Sequence, residues 1–159
     1  MKSISLTSGM VAVLDDKDYE RLSGFTWHAT RSYAGSTWYA RRNVRRDDGV
    51  WTTVYMHREV SSYPSRTRVD HKDGDGLNNQ RDNLRAATQV QNLRNARRRC
   101  DNTSGFKGVS YDTRKKRWRA NIRYDHRQIH LGRFKTPEEA YAAYCAAAAK
   151  YFGEFARTP

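Results

Sequence analysis

The sequence has little of what a zinc-binding or disulfide-rich protein needs. Its 159 residues contain two cysteines, Cys100 and Cys145, and neither has a CxxC partner or a neighbouring cluster of Cys and His. A structural zinc site takes four such ligands, and a disulfide framework takes several cysteine pairs. Both cysteines are therefore expected to be ordinary reduced thiols.

Long apolar runs are also missing. The longest, around Ala142 to Ala149, is a short alanine-rich stretch interrupted by Tyr144 and Cys145, whereas a membrane-spanning helix needs about 20 apolar residues. Residues 1–10 are polar and alternating, unlike the apolar centre of a secretory signal. We therefore expect a cytoplasmic protein without a membrane partner.

Acidic residues are scarce relative to basic ones. Thirty Lys and Arg face seventeen Asp and Glu, which leaves a formal net charge of +13. Such a charge attracts a polyanionic partner and does not specify a fold. Nucleic acid is the first candidate, and the charge alone permits either DNA or RNA.

The first third of the chain has the pattern of short strands. The strands are predicted from β-branched and aromatic residues at 11–14, 25–29, 37–40 and 50–55. Between the first two strands, Asp15 to Leu22 predicts a short helix that begins at an Asp cap.

A chain of this length holds one ordinary domain or two small ones, since domains run to about 50–200 residues. The change of pattern along the chain favours two small domains.

The middle of the chain changes from turns to a helical pattern. Thr88 is a suitable N-cap for a helix that carries Val90, Leu93 and Ala96 on one side and runs into a basic stretch. Residues 97–105 are first basic, then small and polar, which is typical of a linker. We therefore predict a first domain over 1–99, with its core motif at about 56–99, a linker over 100–104 and a second domain over 105–159.

The last third predicts a three-stranded antiparallel sheet packed on one helix. The strands are expected at 108–112, 117–123 and 127–131, and the helix at 137–152, after a Thr136 cap and before Gly153. Alternation turns the apolar residues of the strands, such as Ala120 and Ile122, toward the helix. The outward residues are then Arg117, Arg119, Asn121, Arg123, Gln128 and His130.

One spacing in the middle of the chain points to chemistry. Asp70 and His71 are adjacent, Asn83 follows the His by twelve residues, and Asn92 follows nine residues later. Together with Met56-His57-Arg58 and the stretch from Val69 to Asn79, this arrangement resembles the HNH nuclease motif, in the homing-endonuclease branch where Asn replaces the last His. The fold class expected is α+β, with a ββα-metal module behind a β-rich N-terminal extension.

The HNH resemblance implies roles for these residues. Asp70 and Asn92 would be the protein ligands of one divalent ion, Mg²⁺ with Mn²⁺ as the alternative, because oxygen ligands suit these ions. His71 would be the general base, presented by an irregular loop at the end of a strand, and Asn83 would hold that loop. His57 is interpreted as a packing residue, with phosphate contact as the alternative.

The last third carries a second resemblance. The stretches Ser104-Gly-Phe-Lys-Gly-Val109, Trp118 to Arg123, His130 to Phe134 and Thr136 to Tyr144 resemble the APETALA or ethylene-response-factor DNA-binding domain. This implies that the outward ribbon reads a major groove, which admits a β-sheet. Basic residues before this domain would contact phosphates: Arg94, Arg97, Arg98 and Arg99.

Together these patterns predict a metal-dependent endonuclease for duplex DNA, targeted by a C-terminal sheet, in a bacterium or a phage-infected cell. The chain would be a monomer or a weak homodimer. Two alternatives remain at this point. One is a non-catalytic, sequence-specific regulator that keeps the nuclease scaffold as a DNA-contact surface, and the other is an enzyme that acts on RNA or single strands.

Overall fold

A computed structural model of the chain describes residues 1–32, 37–98 and 101–157. They belong to two compact units, Met1–Gln89 and Val90–Pro159. The elements of the first unit are β1 (Lys2–Ser5), β2 (Val11–Leu14), α1 (Asp16–Leu22), β3 (His28–Arg31), β4 (Trp38–Arg45), β5 (Trp51–Tyr55), α2 (Met56–Ser61), β6 (Arg68–His71) and β7 (Leu84–Ala87).

The first unit contains two hairpins and one small sheet. Strands β1 and β2 pair antiparallel, β3, β4 and β5 form a three-stranded sheet in that order, and β6 pairs antiparallel with β7. Apolar side chains from these elements and from both helices share one core. Its largest buried member is Trp27, whose indole nitrogen donates to Leu22 O at 3.0 Å.

The long β6–β7 connection is attached to the N-terminal hairpin. Val13 N donates to Leu77 O at 2.9 Å, and Asn79 N donates to Val13 O at 2.8 Å. Gly76 allows the same connection to approach β4, because a Cβ at this position would overlap Trp38 O and the Tyr39 ring. The N-terminal extension and the β6–β7 hairpin therefore fold as one body.

Several local predictions for this unit need correction. Residues 56–61 form helix α2, where no helix was predicted, and β4 continues to Arg45 because its pairing with β5 extends that far. Asp15 does precede α1, but its carboxylate makes no cap hydrogen bond. It accepts instead from Arg81 N at 2.9 Å and from Gln80 Nε2 at 3.3 Å.

The second unit is a sheet packed on a helix. It begins within α3 (Gln89–Asn95) and also contains β8 (Val109–Asp112), β9 (Arg117–Tyr124), β10 (Arg127–Phe134) and α4 (Pro137–Phe152), with sheet order β10-β9-β8. Helix α4 begins with a capping box between Thr136 and Glu139 and ends at Gly153. Its Ala140, Tyr144 and Ala147 are buried. The predicted α+β class, with a three-stranded antiparallel sheet on one helix, is confirmed.

Helix α3 is shorter than the sequence suggested. It ends at Asn95, before the basic stretch, and Val90 and Leu93 are 52% and 59% exposed, so they form no buried stripe.

Arg99 and Cys100 lie outside the described residues. The boundaries 1–99, 100–104 and 105–159 stay a prediction. Within the described ranges, no helix is long and apolar enough to cross a membrane.

Candidate functional site

A buried ion pair lies at the centre of the β6–β7 hairpin. The antiparallel register places Asp70 directly opposite Arg85. Arg85 donates from Nε at 2.9 Å and from Nη2 at 2.8 Å to Oδ2 of Asp70, and the two side chains are only 10% and 5% exposed. The pair orients the Asp70 carboxylate, because two donors converge on one of its oxygens.

His71 lies beside this pair within a cluster of rings. Its imidazole is 5.2 Å from the His57 ring and 5.8 Å from the Tyr39 ring, measured between centroids. Tyr55 stacks on His57 at 5.5 Å. His71 is the last residue of β6 and pairs with Leu84, so the irregular segment expected to present it begins only at the next residue.

Burial and neighbouring charges set the protonation of the two histidines. Burial lowers the pKa of His71, and this outweighs the opposing effects of a hydrogen bond with Asn79 and of the carboxylates at 70, 73 and 75. Burial, with help from the charges of His71 and Arg58, lowers the pKa of His57 to about 3. Both rings are therefore neutral near pH 7, and a neutral imidazole can accept a proton.

The loop after His71 is held by Asn83. The Asn83 side chain accepts from Asp73 N at 3.1 Å and donates to Asp73 Oδ1 at 3.0 Å and to Asn78 O at 2.8 Å. In addition, Lys72 N donates to Asn83 O at 2.9 Å. The carboxylates of Asp73 and Asp75 accept from backbone amides of the same loop. These bonds connect the start of the loop, next to His71, to its end.

The Asp70 carboxylate is the type of ligand that a hard divalent cation takes. Magnesium is held in proteins by one or two carboxylates and takes the rest of its shell from water and phosphate. Within residues 1–32, 37–98 and 101–157, no cluster of three or more His, Cys, Asp or Glu could hold a metal ion. A bound ion would therefore take most of its ligands from water, from phosphate or from oxygen atoms of other residue types, such as Asn.

The remaining HNH position lies on α3, in the second unit. Asn92 is half-buried there, next to Leu93 and Arg94. The Arg94 guanidinium is 5.1 Å from the Tyr124 ring centroid and 5.0 Å from that of Phe152. Arg97 and Arg98 follow the helix and are exposed, and Arg99 lies outside the described residues.

The outer face of the C-terminal sheet has the expected alternation. Ala120 and Ile122 are 0% and 2% exposed against α4, and the neighbouring polar residues of β9 point away from this core. They border a concavity of about 690 Å³. The predicted contact residues that line it are Arg119, Asn121, Arg123 and Gln128, while Arg117 and His130 are exposed on the same strands.

Asn121 links two of these side chains. With its amide oxygen facing Arg119, it accepts from Arg119 Nε at 3.1 Å, and its amide nitrogen donates to His130 Nδ1 at 3.1 Å. His130 stands opposite Asn121 in the β9–β10 register. This arrangement places the Asn121 amide between the Arg119 guanidinium and the His130 ring.

Sequence reasoning did not identify Arg85, Tyr39 or Tyr55 as part of the site. Arg85 is identifiable only from the strand register, and the two tyrosines come from a sheet distant in sequence. The pattern of the strands did indicate aromatic residues at these positions. It could not indicate that their rings approach His57 and His71.

Comparisons with known proteins agree with this organisation. The family model described as HNH endonuclease matches residues 61–94, and the one described as AP2 domain matches residues 104–154. Protein 3.8 of Escherichia phage T7 is 34% identical over 94 residues, which are 59% of this chain and 77% of that protein. No solved structure gives a significant match. The chain thus belongs to the family of phage T7 protein 3.8 and carries an HNH endonuclease domain followed by an AP2 DNA-binding domain.

Proposed function

We propose that the chain is a metal-dependent endonuclease that hydrolyses phosphodiester bonds of duplex DNA. The observation that carries this proposal is the adjacency of a buried, neutral His71 and a buried carboxylate, Asp70, whose orientation Arg85 sets. Hydrolysis of a phosphodiester needs a group that takes a proton from water and a site that accommodates the phosphate charge. His71 would supply the first requirement, and a divalent ion held by Asp70 would supply the second.

In this proposal His71 acts as the general base. Its neutral imidazole accepts a proton from the attacking water, and the surrounding rings of His57 and Tyr39 restrict its orientation. Asn83 acts as a positioning residue, because its three side-chain hydrogen bonds hold the loop that follows His71.

Asp70 and Asn92 are proposed to hold one divalent ion, Mg²⁺ or alternatively Mn²⁺. When bound, such an ion supplies positive charge to the phosphate and to the leaving 3′ oxygen. The oxygen donors of both residues match the preference of these ions. Arg85 orients the Asp70 carboxylate, because two nitrogens of its guanidinium donate to one carboxylate oxygen.

Targeting is proposed to reside in the AP2 domain and the basic stretch before it. The sheet would place Arg117, Arg119, Asn121, Arg123, Gln128 and His130 against a major groove. Phosphate contacts would come from Arg94, Arg97, Arg98 and Arg99. Arginine and asparagine on the strands are suited to guanine and adenine edges respectively, so this sheet would read sequence while the basic stretch would add affinity.

Incubation with supercoiled plasmid tests the proposal. Wild-type protein with Mg²⁺ should produce nicked or linear DNA, whereas wild type with EDTA and His71→Ala with Mg²⁺ should not. The His71→Ala protein should still bind the duplex, because the base acts on water and not on DNA. Binding without cleavage by the wild type, on plasmid carrying the native target, would support the regulator alternative and overturn the proposal.

The same gel reports strand usage. One HNH motif per chain predicts that nicked circles form first, and that linear DNA appears only at protein concentrations that place two chains on one site. Cleavage of a matching RNA duplex at a rate equal to that of DNA would contradict the assignment to DNA.

A further inference from the structure

The sheet formed by β3, β4 and β5 has two faces of different character. On the inner face, Ala40 is 1% exposed, and Arg42 donates to Glu59 at 2.7 and 3.1 Å while lying over the Phe25 ring. The antiparallel register assigns the opposite side chains to one outer sheet face. Its central members are Arg41, Asn43, Arg45, Trp51, Thr53 and Tyr55.

Positive charge on the outer sheet face is not neutralised locally. No Asp or Glu occurs in the three strands. Within the described residues, neither Arg41 nor Arg45 has a carboxylate at ion-pair distance, and the buried Nε of Arg41 has no hydrogen-bond partner there. Arg41 Nη1 makes one long bond of 3.5 Å to Thr53, and Arg45 Nε donates to Gly49 O at 3.2 Å. No hydrogen bond within the described residues uses Nη2 of Arg41 or either Nη of Arg45, so these donors remain available to a ligand.

A large aromatic side chain lies among these charges. Trp51 is 67% exposed and stands opposite Arg45 in the register. Burial of an indole against a partner is favourable, and its ring can pack on a sugar or a base while its N–H donates. Exposed Trp beside Arg and Asn is the composition expected of a contact surface for a polyanion rather than of a purely solvated face.

The outer sheet face continues into the candidate active site. Tyr39 and Tyr55 are at its end, with ring centroids 6.2 Å apart, and both contact His57, which in turn lies 5.2 Å from His71. Arg45 is six residues beyond Tyr39 on β4, which is about 20 Å along a strand. That distance corresponds to about six base pairs of duplex at 3.4 Å each.

We propose that the outer sheet face of β3–β5 binds the duplex DNA backbone beside the scissile phosphate, through Arg41, Arg45 and Trp51. It is a DNA-contact surface within the N-terminal extension, outside residues 61–94 and 104–154 that the two family models match. The choice of duplex DNA as the ligand rests on the proposed function, but the test of this inference does not require cleavage. The surface would hold the duplex within about six base pairs of His71.

The test measures binding of full-length protein to a fluorescently labelled 40-base-pair duplex in EDTA, over a series of KCl concentrations. The logarithm of the association constant falls with the logarithm of salt by about 0.9 for each phosphate contact. The Arg41→Gln/Arg45→Gln double variant should therefore lower the slope by about 1.8 and weaken binding at every salt concentration. The control is Arg46→Gln, because Arg46 is exposed beside Arg45 but lies in the hairpin turn and pairs with Asp48 at 3.1 Å.

A slope for the double variant equal to that of Arg46→Gln would overturn the inference. So would a larger slope change on single-stranded RNA of the same length than on the duplex. Thermal unfolding of both variants shows whether the fold is kept. Since no metal is present, a chain that lacks nuclease activity would still give the expected slopes, so failure of the proposed function and failure of this inference are distinguishable.

The fluorescence of Trp51 provides an independent test of DNA binding to the same surface. The difference between wild-type and Trp51→Phe emission isolates its fluorescence from that of the other tryptophans. Saturation with the 40-base-pair duplex in EDTA should reduce acrylamide quenching of this component at least twofold, because an indole that is 67% exposed becomes covered. Unchanged quenching at saturation would overturn the inference.

Discussion

Two nitrogens of Arg85 donate to a single oxygen of Asp70, at 2.9 and 2.8 Å, inside the β6–β7 hairpin. Both side chains are almost fully withdrawn from water, so the pair brings opposite charges together in a buried position. The pair is therefore expected to contribute both to the stability of the first unit and to the proposed metal site, since Asp70 is also the proposed metal ligand. Changes at Arg85 are expected to affect both.

Replacement of Arg85 by methionine should destabilise the first unit. Removal of one partner from a buried ion pair costs about 3–5 kcal/mol, and here the buried Asp70 carboxylate loses both bonds from Arg85. Urea denaturation measures this loss. Arg68→Met is the control, since Arg68 lies in the same hairpin, on the partner strand β6, but is exposed. A loss below about 1 kcal/mol, the scale of an exposed pair, would contradict the interpretation of a mutually dependent pair.

Replacement of Asn83 by alanine should loosen the loop after His71. Three side-chain hydrogen bonds disappear, at about 1 kcal/mol each at most in a partly exposed loop. Plasmid cleavage should fall at least tenfold, whereas duplex affinity in EDTA should stay unchanged. The control is Asp82→Ala, an exposed neighbour in the same short turn. An equal loss of affinity and cleavage would assign Asn83 to DNA binding instead.

Two glycines of the AP2 domain should respond differently to alanine. Gly105 and Gly108 both have positive φ, at +80° and +75°, but a Cβ at Gly105 meets open space, while one at Gly108 would overlap the Tyr144 ring and Asn121 O. Gly105→Ala should cost about 1 kcal/mol for its backbone conformation alone. Gly108→Ala should cost about 3 kcal/mol because overpacking is added. Equal losses in thermal unfolding would show that Tyr144 moves aside.

Stability of the first unit should fall at acidic pH through Asp18. Burial raises the pKa of this carboxyl, but hydrogen bonds from Arg81 at 2.7 and 2.8 Å and from Arg21 at 3.0 Å outweigh it, and the net pKa is lowered. A lowered pKa in the folded state contributes stability above the unfolded pKa of about 3.9. That stability is lost as pH falls from about 5 through the folded pKa.

The Asp18→Asn variant tests this pH dependence. Its melting temperature should be lower than that of the wild type at pH 7 and should approach the wild-type value as pH falls toward 3. Glu20→Gln, on the exposed side of the same helix, should run parallel to the wild type. Parallel curves for Asp18→Asn would contradict the assigned role.

The elements that were predicted correctly from the sequence are those whose signals are local, such as caps and short-range periodicity. Helix α4 begins and ends at Pro137 and Phe152 as predicted, because its cap, proline and glycine signals are all local. The alternation of β9 likewise predicted the burial of Ala120 and Ile122. Helix α2 was missed, since Met56 to Ser61 continue directly from a strand without a typical capping residue.

The sequence by itself determined the chemistry available to this protein: the HNH and AP2 motifs, the excess of positive charge and the residues of the outward ribbon. Only tertiary structure decided which distant residues surround His71, and which arginine pairs with Asp70. Pairing of β4 in its sheet places Tyr39 next to His71, and the start of α2 places His57 there. The register of the β6–β7 hairpin places Arg85 opposite Asp70. Spacing along one segment reports local periodicity, whereas register between segments depends on hydrogen bonding and core packing across the whole unit.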